Sequence, residues 1–179
     1  MSQIKSVILA DDRPADLPPP EKIVQLCRDA VYDYNIRGFP LIDEFRGVAS
    51  TWIKYGPTVK MSEALIQDWV GQVINASPDA TVRIPKVYHA FEHGDRGYIA
   101  MEYIDGLECD NSDVLQVAAA VECLIRIKGP TTAPGPIGGG PITHRFFQEW
   151  ESPVTYDTVE LLEKHVNGVR MDYPFHTPR

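Results

Sequence analysis

Lys54 and Glu63 are the residues of this chain best suited by type and setting to do chemistry. Lys54 sits in a β-prone run, Ser50-Thr51-Trp52-Ile53-Lys54-Tyr55, and Glu63 opens an amphipathic segment shortly after it. An ammonium group held by a carboxylate stays charged and fixed in space. It can then contact the α- and β-phosphates of a nucleotide without reorganising. A later run, Tyr98-Ile99-Ala100-Met101-Glu102-Tyr103-Ile104-Asp105-Gly106, has a second use. Where it leaves a sheet, the main-chain groups of Glu102, Tyr103 and Ile104 become free to pair with an adenine edge. Ile53 and Met101 would sandwich the base. Either charged residue alone means little, because strand lysines are ordinarily solvated and a glutamate in a first helical turn favours the helix dipole. The order of the segments is what raises their significance.

These groups need a scaffold. Residues 11–20 are rich in Asp and Pro and read as an extended arm, so that 1–20 forms an N-terminal arm. Pro20 suits the first position of a helix, with Ile23, Val24, Cys27, Ala30, Val31 and Tyr34 on one face. Gly38, Phe39 and Pro40 stop that helix. Leu41 to Tyr55 reads as one or two strands. A second helix is predicted from Ser62 to Asn75, with Ser62 as N-cap and Leu65, Trp69, Val70 and Val73 as its apolar face. Val82–Phe91 and Gly97–Tyr103 read as strands joined by the turn 92–96. In the second of these, Ile99, Met101 and Tyr103 point one way, and Tyr98, Ala100 and Glu102 the other. A third helix, 112–127, carries Val114, Val117, Ala118, Val121 and Leu124 as a core stripe. Residues 129–141, with five glycines and four prolines, exclude regular structure throughout. A last helix, 156–167, carries Val159, Leu162 and Val166, and 171–179 reads as a loosely held tail.

Bulk properties narrow the function classes. An apolar content of 44% supports a real core. A net charge of −8 argues against a broad surface for nucleic acid or anionic membrane. No apolar run reaches membrane-spanning length, and the N-terminal apolar stretch is too short for a signal peptide. Cys27, Cys109 and Cys123 are odd in number and lack metal-ligand spacing, which implies a reduced, cytoplasmic protein.

Four segments together resemble a known family: Thr51-Trp52-Ile53-Lys54-Tyr55-Gly56, Ser62-Glu63-Ala64, Arg83-Ile84-Pro85-Lys86-Val87-Tyr88, and Ala100-Met101-Glu102-Tyr103-Ile104-Asp105-Gly106. The stretch 41–167 is similar to the N-terminal lobe of the aminoglycoside phosphotransferase and choline-kinase-like group, as in its fungal members. The resemblance implies an α+β fold: a kinase-like N-lobe over 21–106, in which an antiparallel sheet packs on a helix, then a partial helical C-lobe over 107–170. It implies Lys54 as the phosphate-contacting lysine and Glu63 as its partner. Glu102, Tyr103 and Ile104 would be the linker that meets adenine beside Met101, and the phosphate-covering loop would lie around Gly47, Val48 and Ala49.

The sequence departs from that family where catalysis is concerned. Its kinases carry a later His-x-Asp followed five residues on by Asn, the aspartate orienting the acceptor hydroxyl and the asparagine binding metal. His93-Gly94-Asp95 has the letters, but it lies in a turn before Met101, and Ala100 stands five residues after Asp95. His144, His165 and His176 read as structural or solvated, and Asp157 with Glu160 as exposed helix carboxylates. The expectation is therefore a truncated, pseudokinase-like protein that ends about where the catalytic segment should begin. It would have a weak ATP pocket, no catalytic residue, no identifiable Mg²⁺ site and no self-sufficient phosphoryl transfer. Two alternatives stand beside it. One is an enzyme completed by a partner chain, or using unconventional chemistry at Glu63, Asp105 or His144. The other is an interaction module whose pocket is filled by side chains, with Lys54 and Glu63 only an ion pair. A protein partner or self-association would use apolar surface on the third helix or at Phe146, Phe147 and Trp150; neither nucleic acid nor membrane is expected as a partner.

Overall fold

The computed structural model describes residues 4–8, 10–30, 38–43 and 46–172. Val31, Tyr34, His176 and most of the expected tail lie outside them. The chain divides into two units, Met1–Ile127 and Lys128–Arg179.

The first unit is α+β, built on a five-stranded antiparallel sheet. Its strands are β1 (Lys5–Ile8), β2 (Gly38–Ile42), β3 (Ala49–Gly56), β4 (Val87–His93) and β5 (Arg96–Glu102), in the spatial order β1-β4-β5-β3-β2. Its helices are α1 (Pro20–Asp29), α2 (Met61–Asn75) and α3 (Val114–Ile125). β1 comes from the segment expected to be an arm; it pairs with β4, Lys5 opposite Glu92 and Ile8 opposite His89. Four residues are too few for alternation to stand out in a sequence.

Both faces of the sheet are covered. On one side Ile53, Tyr55, Phe91, Tyr98 and Ala100 pack with Ile23, Val24 and Cys27 of α1. Their rings stack in series, Tyr55 on Tyr98 at 6.3 Å and Tyr98 on Phe91 at 4.8 Å. On the other side Val87, Ala90, Ile99 and Met101 pack with Val59 and Ala64. The alternation expected along β5 therefore holds over Tyr98–Met101. A bulge at Tyr88, between Val87 and His89, lets Val87 and Ala90 share a face.

The helices conform unevenly. α1 starts with Pro20 at its first turn, has Glu21 early and Arg28 late, and buries Ile23, Val24 and Cys27. α2 begins one residue before the expected start. Lys60 stands at its N-cap without a side-chain bond, and Ser62 lies inside the first turn. Its sheet-facing line is Ala64, Gln67, Gly71 and Ile74, not Leu65, Trp69, Val70 and Val73; Val73 is exposed. α2 has apolar residues on several sides. The inner line is marked by the buried Ala64 and Ile74 and by Gln67, whose amide bonds the Pro85 carbonyl and the Met101 sulfur. α3 buries none of its expected core stripe among the described residues. Periodicity records that a helix has an apolar face, not what covers it.

The second unit holds α4 (Val159–Asp172), and 129–141 carry no helix or strand. Tyr156 lies before α4, buried, with its hydroxyl 3.0 Å from His165 Nδ1. Phe147 packs edge-on to the His165 ring at 6.1 Å and is buried, whereas Phe146 and Trp150 are exposed. Trp150 adopts φ 61°, costly for a bulky residue, within a turn held by His144 N–H on the Trp150 carbonyl and Trp150 N–H on that of Phe147. Among the described residues no helix is long and apolar enough to cross a membrane.

One buried group makes stability depend on pH. His89 is 4% exposed, and among the described residues its Nε2 has no hydrogen-bond partner. Burial, and secondly the charge of Arg13, hold its pKa below the ordinary 6.5. Between the folded value and 6.5 the unfolded state binds more protons, so stability falls as pH drops below 6.5. Urea midpoints measured from about pH 7.5 down to about pH 5.5 should fall more steeply for the parent chain than for His89→Phe. Parallel curves would remove His89 as the cause.

Candidate functional site

β3 and β5 are neighbours in register, with Lys54 opposite Ile99, Trp52 opposite Met101 and Thr51 opposite Glu102. Because Ile53 and Tyr55 point to α1, Trp52 and Lys54 share the α2 face with Ile99 and Met101. On that face the Lys54 ammonium donates to Oε1 of Glu63 in the first turn of α2. The two side chains are 29% and 36% exposed, so the pair is open to water and to a ligand.

A close approach brings Glu63 there. The linker 57–60 is anchored by Val59, which is buried against the sheet. It passes so near Gly97 that a β-carbon there would lie 2.1 Å from the Val59 carbonyl oxygen. Only glycine at the start of β5 lets the linker run over the strand and set α2 down with its first turn above Lys54.

The expected site residues are distributed as follows. Lys54, Glu63 and Met101 come together on the α2 face. Met101 is buried, and its sulfur receives the Gln67 amide at 3.4 Å. Ile53 is completely buried on the opposite face and cannot touch a base held beside Met101. Strand parity puts Trp52 there instead. Its indole stacks on Tyr103 at 6.3 Å with 19° between planes, and leans over Gly38, where a β-carbon would come within 2.5 Å of Nε1.

After β5 the main chain is less free than expected. Glu102 N–H donates to the Lys86 carbonyl at 2.8 Å, and Tyr103 N–H to that of Ser50 at 3.1 Å. The Glu102 carboxylate takes the Arg83 guanidinium on one oxygen and the Lys86 N–H, at 3.3 Å, on the other. Among the described residues the Ile104 N–H makes no hydrogen bond, and Ile104 is exposed. Of the three linker amides it is the one left for a base edge.

Two further expectations concern loops. The turn carrying Gly47 is closed by Gly47 N–H on the Asp43 carbonyl at 2.8 Å and Asp43 N–H on that of Val48 at 3.0 Å. It joins β3 at Ala49, about 17 Å along the strand from Lys54. It therefore flanks the linker end of the strand and does not overlie the lysine; the β2 residue opposite Lys54 is Gly38. His93-Gly94-Asp95 forms the turn between β4 and β5, His93 pairing with Arg96. In the second unit His144 Nδ1 accepts the Phe146 N–H at 3.1 Å, a turn-stabilising role, and Glu160 is held below the usual carboxylate range by hydrogen bonds from its own N–H and from Thr158. Among the described residues no group of three or more His, Cys, Asp or Glu could hold a metal ion.

Sequence reasoning missed Trp52, Gln67 and Gly97. Trp52 and Lys54 share strand parity, and Gln67 lies one helical turn beyond Glu63, so both were within reach of periodicity. The Gly97 contact spans distant segments and has no local signal. Comparison of the chain with protein-family models, with curated proteins and with solved structures finds no match.

Replacing Gly97 with alanine should displace the linker and destabilise the chain by about 1–3 kcal/mol, read as a lower urea midpoint. Alanine tolerated without loss would mean that the linker can move aside.

Proposed function

We propose that this chain carries the nucleotide-binding half of an ATP-dependent phosphotransferase-type site. The observation that carries the reading is the Lys54–Glu63 pair, held between a central strand and the first turn of α2 on the same sheet face as Met101. A fixed ammonium there suits the α- and β-phosphates. The Ile104 N–H, beyond the end of β5, suits an adenine edge. Trp52, half-buried beside the buried Met101, offers apolar surface. The motif order of the family the sequence resembles supports the same assignment, with the sheet as its N-lobe and Glu102, Tyr103 and Ile104 as its linker.

The proposal extends to binding and not to unaided transfer. Phosphoryl transfer depends on groups that orient the acceptor hydroxyl and neutralise the triphosphate, mostly through metal. In the family resembled, those groups come from His-x-Asp and a later aspartate, and the proposal assigns no residue to either role. One lysine cannot offset a triphosphate, so affinity is weak. An enzyme completed by a partner is the active form of this reading. The uncovered side chains of α3, among them Leu115 and Ile125, favour association with another surface.

A specific observation favours a second reading. Trp52 stacks on Tyr103 over the surface where a base would lie. If that stack is permanent, the site is filled, and the chain is an interaction module in which Lys54 and Glu63 only tie α2 to the sheet. A half-exposed pair of that kind contributes about 0–1 kcal/mol.

Thermal unfolding with ATP and Mg²⁺ separates the two. A dissociation constant near ~1 mM gives about 1.4 kcal/mol of stabilisation at about 10 mM nucleotide, and a rise in Tm of roughly 3–5 °C. Lys54→Met should abolish that rise. No rise in the parent chain, with Lys54→Met equally stable, would defeat nucleotide binding and leave the module.

A further inference from the structure

On the opposite face of the sheet from Lys54, a cavity of about 720 Å³ opens between the end of α1 and the β4–β5 turn. Its floor is apolar: Cys27 and Tyr98 are both buried there. Its walls are cationic. Arg28 from the last turn of α1 and Arg96 from the start of β5 flank it, with His93 beside them and the Asp95 carboxylate on the rim.

Among the described residues Arg13, Arg28, Arg96 and Arg145 hold no carboxylate, and of these Arg28 and Arg96 line one cavity. Arg46, Arg83 and Arg126 each hold a carboxylate. Arg28 and Arg96 hold none among the described residues, although acidic side chains outnumber basic ones, 25 to 17, over the whole sequence. Tyr98 lines the same cavity as Arg28, Arg96, Cys27 and Asp95, and burial is the main cause that holds its hydroxyl above the usual range. It makes no hydrogen bond among the described residues. Two guanidinium forks and a phenol from α1 and β5 thus converge on one volume, with an imidazole from β4 close by.

We propose that this cavity is an anion site that holds the phosphate of a small phosphate monoester. Guanidinium groups pair with phosphate oxygens through two parallel hydrogen bonds each. Two such forks and a hydroxyl donor match three terminal oxygens better than the two of a carboxylate. The volume exceeds that of phosphate alone and lies in the usual range for small-ligand cavities. The apolar floor and Pro57 therefore take the carbon part of the ligand. The site is separate from the Lys54 face, because β3 and β5 stand between them.

The test is calorimetric titration of the full chain at constant ionic strength with phenyl phosphate, inorganic phosphate and benzoate. Phenyl phosphate should bind saturably below about 10 mM, more tightly than either other probe. Arg28→Ala and Arg96→Ala should each weaken it by about tenfold or more, while Lys54→Met leaves it unchanged. Both arginines are exposed and hold no carboxylate among the described residues, so their loss should spare the fold; Arg28→Gln and Arg96→Gln serve where alanine does not. No saturable binding up to about 10 mM, or binding that survives both substitutions together, overturns the site. Benzoate binding as tightly as phenyl phosphate overturns the phosphate assignment.

Discussion

The register of β3 on β5 is the constraint from which the rest of the first unit follows. Both strands lie inside the sheet and are covered on both faces, so their buried residues are committed to one face or the other. Ile53 and Tyr55 belong to α1, Trp52 and Lys54 to α2. A slip of one residue would exchange the sets, burying the Lys54 ammonium under the aromatic stack and expelling Ile53. A charge with no partner in that core would cost several kcal/mol. The stack of Tyr55, Tyr98 and Phe91 therefore does more than fill space: by accepting only rings and aliphatic groups on the α1 side, it pins the lysine to the other face.

Ion pairs then place the pieces that the core leaves free. Lys86 bonds Asp12 at 2.5 Å and 2.6 Å, tying the segment after β1 to the approach of β4. Glu102 ties Arg83 and the Lys86 N–H to the end of β5. Asn75 closes the same region from α2, donating to the Ile84 carbonyl at 2.9 Å and accepting its N–H at 3.0 Å. Each exposed pair is worth little alone. Their joint effect is directional. Residues 83–86 are held against both α2 and the chain leaving β5, so the point where β5 exits the sheet is fixed.

The elements were legible where one physical rule dominated. Alternation located β3 and β5 and the two faces of Tyr98–Met101, and Pro20 marked the start of α1; the strand expected from Val82 to Phe91 runs instead from Val87 to His93. Legibility failed where two rules competed or where distant parts meet. α2 is apolar on several sides, and contacts with other segments, burying Ala64 and Ile74 and bonding Gln67 to Pro85 and Met101, chose its inner line. Ile53 looked suitable for a base because it neighbours Lys54 in sequence, but neighbours on a strand face opposite ways. The Gly47 turn was assigned from chain order, whereas register places it at the far end of β3. β1 was too short to announce itself. Of the candidate site, the lysine, the glutamate and Met101 could be read from type and spacing. The occupied amides of Glu102 and Tyr103 could not, because their acceptors, Lys86 and Ser50, lie on other segments.

The same register separates two kinds of positive charge. Lys54 is paired, half-buried and on the α2 side; Arg28 and Arg96 hold no carboxylate among the described residues and lie on the α1 side, around a cavity floored by Cys27 and Tyr98. Burial, opposed only by the charge of Arg96, pushes the Cys27 thiol up to about 12, so it is an inert part of that floor and not a nucleophile. As proposed sites, the two would therefore differ in what they select. A lysine already engaged by Glu63 is a point charge with a fixed position, suited to a phosphate whose base is held elsewhere. Two free forks over an apolar floor supply their own orientation and need no second anchor. Because the sheet between them is covered on both faces, a ligand at one meets the other only through β3 and β5, whose close-packed side chains leave little room to adjust.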